Sequence, residues 1–157
     1  MTLMSRAFVK EPDGESEVET LPDRRVSTHP NLVTAEGLAS IEAEIAALEA
    51  ARDGARAAGD KAALAVALRD LRYWTSRHAT AQVLPPPATG EARFGARVTI
   101  RREDGREQTF RIVGEDEADP VRQSVSYVSP LARAVTGKGV GDAALLNGAR
   151  IEIVAIG

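Results

Sequence analysis

The sequence has no cysteine. That removes disulfide frameworks and thiolate chemistry. Aromatic residues make up only 4% of its 157 residues, so any core must be built from Ala, Val, Leu and Ile. No apolar run approaches the ~20 residues that a membrane helix needs. The opening "MTLMSRAFVK" lacks the apolar segment of a secretory signal. The cytoplasm is therefore the expected compartment, with Met1 and Met4 both candidate starts. Excess positive charge is missing too: 20 Lys and Arg stand against 23 Asp and Glu, for a formal net charge of −3. Affinity for duplex phosphates needs clustered Lys and Arg, so high-affinity nucleic-acid binding is not expected, although a local basic patch is compatible with this composition. What is present, 43% hydrophobic and 27% charged, suits a soluble globular chain of one ordinary domain or two small ones.

Residues 1–32 carry Glu11, Asp13, Glu15, Glu17, Glu19 and Asp23 among Pro12, Gly14, Pro22 and Pro30. Such a stretch buries little apolar surface, and the expectation is a mobile leader. Periodicity starts at "VTAEGLASIEAEIAALE". Thr34 is a good N-cap, Val33 and Leu38 occupy staple positions, and Glu36 complements the helix dipole. Leu38, Ile41, Ile45 and Leu48 follow a heptad seam. Gly59 suits the C-terminal turn. A second helix is expected from about Asp60 to Val83, capped by Asp60, with Leu64, Leu68 and Leu71 on its seam. "PPP" at 85–87 stops it and begins a stiff linker over 85–91.

Two helices joined by so short a turn run antiparallel. In that register Leu48 faces Leu71, Ile41 faces His78, Glu49 falls near Arg69 and Glu42 near Arg77. Residues 33–84 thus read as a helical hairpin, a coiled coil whose arms of about 24 residues would reach roughly 36 Å. From 92 to 157 the period changes to two. "ARVTI", "TFRIV" and "SVSYV" read as strands, with Asp104-Gly105 as a hairpin turn. "SPLARAVTG" is a short helix with Ser129 as N-cap and Pro130 at N1, and Asn147-Gly148 leads into a last strand. The fold class is α+β: a helical hairpin followed by a mostly antiparallel sheet with one short helix across it.

Two stretches carry a family resemblance. "VTAEGLASIEAEIAALE" is similar to the opening of the coiled coil in bacterial transcription elongation factors of the GreA/GreB family. "FGARVTI…REQTFRIVGEDEADP…VSPLARAVTGKGVGD" closely resembles the C-terminal domain of the same family. The resemblance covers about residues 33–157 and implies an FKBP-like C-terminal domain. It also implies RNA polymerase as partner, with the globular domain at the rim of the secondary channel and the hairpin inside it. A monomer without a membrane contact is expected. The start of the short helix, Ser129-Pro130-Leu131, falls near the implied rim contact; plain capping and core packing is the alternative reading of the same residues.

In cleavage-stimulating members of that family the hairpin tip carries an acidic pair in a G-D-x-x-E phrase. Two carboxylates three residues apart can jointly hold a Mg²⁺ ion and orient a water at the polymerase active centre. Here Gly59 and Asp60 fit, Lys61 follows, and Ala63 stands where the second acid belongs. The arms also look shorter than in cleaving members by roughly two turns, about 11 Å. The chain is therefore similar to a divergent, short-hairpin member in which transcript cleavage is doubtful. It has no catalytic residue and no metal or cofactor of its own, any Mg²⁺ being shared with the polymerase. Asp60 reads first as a helix cap.

Other features take simpler readings. "GEDEADP" does not have EF-hand spacing and is expected to be a solvated or family-structural turn. His29 and His78 have no partners at ligand spacing, and His78 falls on the hairpin seam. Tyr73 and Trp74 are expected to pack, and Ser129 has no nearby His to make it a nucleophile. Two rival functions come from other classes. A prolyl isomerase needs an aromatic-lined pocket, and residues 92–157 offer only Phe94, Phe110 and Tyr127. A polymerase-independent adaptor would use the hairpin as a protein-binding helix pair.

Overall fold

The computed structural model describes residues 20–88 and 90–157. Strand β1 (Leu32–Val33) leads directly into α1 (Ala35–Ala58). The Thr34 hydroxyl accepts the Gly37 N–H at 3.0 Å and so satisfies one of the orphan donors of the first turn. At the far end Gly59 takes a left-handed conformation, φ 67°, which a residue with a Cβ reaches only at a cost. Its N–H donates to the Arg56 carbonyl, and the Asp60 N–H donates to that of Ala55. Helix α2 (Lys61–Thr80) starts at once, and β2 (Gln82–Val83) follows it.

The helices pack through Ile41 and Ala55 on α1 and Leu64, Ala65, Ala67 and Leu71 on α2, all buried. Leu38, Ile45, Leu48 and Leu68 are half-buried along the same seam. Helix α2 stops three residues short of the expected Val83. The reason is a second use for the chain: β2 pairs in parallel with β1, Leu32 beside Gln82 and Val33 beside Val83. The Gln82 N–H donates to the Asn31 carbonyl at 2.8 Å and the Leu84 N–H to Val33 at 3.0 Å. This short ladder ties the two ends of the hairpin together. Two expected cross-pairs differ. Glu42 meets His78 at 3.3 Å, and His78 is exposed beside the seam rather than on it. Arg77 turns away from Glu42 and is buried against the second part of the chain. Arg69 reaches Asp70 of its own helix at 3.0 Å, an alternative to the expected Glu49.

The second part is a five-stranded sheet ordered β5-β4-β3-β7-β6. Its strands are β3 (Arg97–Arg102), β4 (Glu107–Val113), β5 (Ser124–Ser126), β6 (Ala143–Leu146) and β7 (Ala149–Ile156). Pairs β3–β4, β3–β7 and β6–β7 are antiparallel, with a bulge in β3 between Thr99 and Ile100. The pair β4–β5 is parallel, the one parallel pair in a sheet that is otherwise antiparallel, as the mostly antiparallel expectation allows. A 3₁₀ turn over Pro120–Arg122 and a left-handed Gln123, φ 56°, bring the chain back so that Ser124–Ser126 lie along Arg111–Val113 in the same direction. Alternating side chains report which face is buried, not which way a partner strand runs.

Helix α3 (Pro130–Val135) lies across the sheet. The core is Val98, Ile100, Phe110, Ile112, Ile151 and Ile153 from the strands, closed by Ala132 and Val135 of α3. Phe110 is the one aromatic among these fully buried residues. The hairpin seam shares no residue with this cluster.

The expected leader divides. Residues 1–19 lie outside the described residues. Residues 20–31 form no helix or strand, yet they contact both the hairpin and the sheet. The composition argument fails for them because their anchors are hydrogen bonds and ion pairs, which an apolar count does not see.

Candidate functional site

Three places bear on function: the hairpin tip, the start of α3, and the joint where the hairpin meets the sheet. At the tip, the Asp60 carboxylate accepts the Ala63 N–H at 3.0 Å. It is the N-cap of α2 in fact, and that bond occupies one of its oxygens. Lys61 and Ala63 are exposed on the first turn beside it. Among the described residues no group of three or more His, Asp or Glu is placed to hold a metal ion. Asp60, Lys61 and Ala63 together offer a single carboxylate.

At the start of α3, the Ser129 hydroxyl accepts the Ala132 N–H at 3.3 Å. Pro130 is exposed, whereas Leu131 is half-buried and packs against the sheet core. Of the three residues only Pro130 is exposed. The aromatics of this part are engaged in packing. Phe110 is fully buried, and Tyr127 stands edge to face with Phe94 at 5.8 Å while its hydroxyl donates to the Pro30 carbonyl at 2.6 Å.

The joint was not legible in the sequence. Of the two readings of the loop after β4, Gly114-Glu115-Asp116-Glu117, its contacts favour the structural turn over the solvated one. Arg77, whose side chain is 2% exposed, donates from Nε to the Asp116 carboxylate at 2.6 Å. The Tyr73 hydroxyl donates to the other oxygen of Asp116 at 2.5 Å. Glu117 accepts the Thr34 N–H at 3.1 Å, the Thr34 hydroxyl, and the Gly114 N–H at 3.3 Å. Glu115 accepts the Ser27 hydroxyl at 2.9 Å. On the rim, Arg111 reaches Glu36 at 3.5 Å. One acidic loop thus grips the N-terminus of α1 and the C-terminal half of α2 together.

Two glycines make the grip possible. A Cβ on Gly37 would stand 2.2 Å from the Glu117 carboxyl carbon, and one on Gly114 would stand 2.2 Å from the Leu32 carbonyl oxygen. Gly37 was the available signal. A glycine inside the first turn of a helix costs about 1 kcal/mol relative to Ala, so its presence there asks for a close neighbour.

The electrostatics follow the geometry. Burial, then the hydrogen bond to the Asp116 carboxylate, pushes the Tyr73 phenol up to about 12. Burial, then the Glu115 charge, raises Tyr127. Glu36 is held below the usual carboxylate range by its own backbone N–H and then by Arg111.

Residues 87–156 match the family model "Transcription elongation factor, GreA/GreB, C-term". The matched residues begin after β2, so the hairpin lies outside them. Among curated proteins, the transcription elongation factor GreB of Neisseria meningitidis serogroup B is 44% identical over 82 residues, 50% of each chain. The elongation factor GreA of Francisella tularensis subsp. novicida is 40% identical over 94 residues, 57% of this chain and 59% of that one. The chain therefore spans about half the length of the curated relatives it matches. Among solved structures, GreA factor homolog 1 of Thermus thermophilus aligns over 82% of this chain and 99% of its own, with 18% identity and a TM-score of 0.40.

The joint yields two expected outcomes. Asp116→Ala leaves the Arg77 charge buried without its partner and costs about 3–5 kcal/mol, measured by urea unfolding against the parent. The second concerns pH. In a Tyr127→Phe background, phenolate absorbance should place the Tyr73 midpoint near 12, against about 10 for a free tyrosine. Because the folded value is raised, the bond to Asp116 contributes fully below pH ~10 and is lost as pH climbs through about 12. Asp116→Asn should lower the midpoint only partway, since burial is the larger cause.

Proposed function

We propose that the chain is a member of the GreA/GreB family through its C-terminal domain, and that it is an accessory transcription elongation factor that binds RNA polymerase. The observation that carries the reading is the family match over residues 87–156 together with relatives named as elongation factors. In this reading the globular domain docks at the rim of the secondary channel, with the exposed Pro130 at the contact. Ser129 and Leu131 hold Pro130 there, the first as a cap and the second through its packing on the core. The hairpin enters the channel tip first. The protein acts as a monomer in the cytoplasm, where that partner is met.

The tip supports regulation of elongation by occupancy rather than stimulation of transcript cleavage. Asp60 is a helix cap, and position 63 is Ala. The acidic pair that the resemblance implies for cleavage-stimulating members is thus reduced to one carboxylate, and a 1 Å misplacement alone can cost about 10²-fold. Helix α1 at 24 residues and α2 at 20 give arms of roughly 36 and 30 Å. Such an arm obstructs a channel whether or not its tip does chemistry.

The partner is tested by retention of the polymerase from native lysate on the immobilised protein. Polymerase subunits should dominate, and Pro130→Asp should weaken retention at least ~10-fold, the loss expected of an interface anchor. A folded variant that binds normally would put the contact elsewhere. The tip is tested on a backtracked elongation complex with labelled RNA. Saturating protein should release no short 3′ fragments. Rapid release that Asp60→Ala abolishes would overturn the occupancy reading, while no release from Ala63→Glu would point to reach as the further limit.

A further inference from the structure

Residues 21–31 do something the joint does not require. They adopt no helix or strand, yet polar contacts to two separate bodies run along their length. At the outer end, Arg72 of α2 donates to the Asp23 carboxylate at 2.5 Å and to the Leu21 carbonyl at 2.9 Å. The Arg24 guanidinium lies 3.9 Å over the Tyr73 ring, 5.8 Å from that of Trp74, and 3.6 Å from the Asp70 carboxylate. At the inner end, Ser27 donates to Glu115 at 2.9 Å, and the Pro30 carbonyl accepts the Tyr127 hydroxyl at 2.6 Å. Asn31 then donates to the Arg77 carbonyl at 2.7 Å and to the Thr80 hydroxyl at 3.1 Å.

The placement of these contacts matters more than the strength of any one. The acidic loop holds the hairpin near its base, at Thr34, Tyr73 and Arg77. Asp70 lies three residues beyond Tyr73, the highest of those contacts, which is about 4.5 Å further toward the tip. A tie anchored on the sheet domain and fastened there is a second connection between the two bodies, separate from the acidic loop, and it opposes swinging about that loop. Arg24 also covers the ring whose hydroxyl grips Asp116, so the tie and the joint share Tyr73.

We propose that residues 21–31 are a strap that fixes the direction of the hairpin relative to the sheet domain. With the strap fastened, the hairpin has one direction; with it released, the hairpin swings while both bodies stay folded. Its consequence for channel entry rests on the polymerase reading, but the direction itself is a property of the isolated protein. Failure of one therefore does not imitate failure of the other.

The chain has no cysteine, so Ala57→Cys near the tip and Leu145→Cys on the sheet take the only two nitroxide labels. Ala57 is exposed, and Leu145 is 71% exposed. Pulsed dipolar spectroscopy then reads the distance distribution between the arm and the domain. The parent should give one narrow distribution. Asp23→Ala with Arg24→Ala should at least double its width and shift the emission of Trp74, the single tryptophan, with circular dichroism unchanged. A folded variant with the parent's width overturns the proposal. So does a lowered melting temperature with the parent's width, which would make the segment a stabiliser and not a strap. Should the double variant lose its circular dichroism, Arg24→Gln alone is judged by the same width.

Discussion

A guanidinium that is 2% exposed has to have a charged partner, and for Arg77 that partner is Asp116. A charge cannot leave water alone without a cost of several kcal/mol. Arg77 sits on the last turns of α2, while Asp116 belongs to the loop that leaves β4. The pair therefore obliges two bodies with separate apolar interiors to meet in one orientation. Much else follows from that meeting. Tyr73 completes the second oxygen of Asp116, Glu117 takes the open N–H of Thr34, and Gly37 and Gly114 are glycines because the approach leaves no room for a Cβ.

The two bodies are stabilised differently, and the difference suits an arm on a base. The sheet domain has a closed aliphatic core around Phe110. The hairpin has one narrow seam in which alanines fill much of the space between its helices. Its far end is held by two caps, Gly59 in a left-handed turn and Asp60 on the Ala63 N–H. The acidic loop, the β1–β2 ladder and residues 21–31 all hold the half of the hairpin that lies away from its tip. The tip carries little beyond its own turn, which is why its one carboxylate is spent on the backbone.

Local features were legible because their causes are local. Thr34, Gly59, Asp60 and Ser129 cap what their types and spacing indicate, since a cap needs only a side chain and a nearby N–H. The strand faces of Val98 with Ile100, and of Phe110 with Ile112, follow from period two. The acidic loop was left between a solvated and a structural turn because an Asp beside two Glu looks the same whether it faces water or an arginine 39 residues away. His78 and Arg77 exchanged roles against the expected register because a heptad pattern does not contain the third body that draws Arg77 off the seam.

The sequence by itself determined the helical hairpin, its caps, the lone acid of its tip and the strands that build the core. Each of these depends on residues within a few positions of one another. The tertiary structure decided the direction of β5, the fastening of residues 20–31 and the burial of Arg77 against Asp116. Those depend on charges and backbone groups that lie dozens of residues apart along the chain, and only the folded chain brings them within hydrogen-bonding distance.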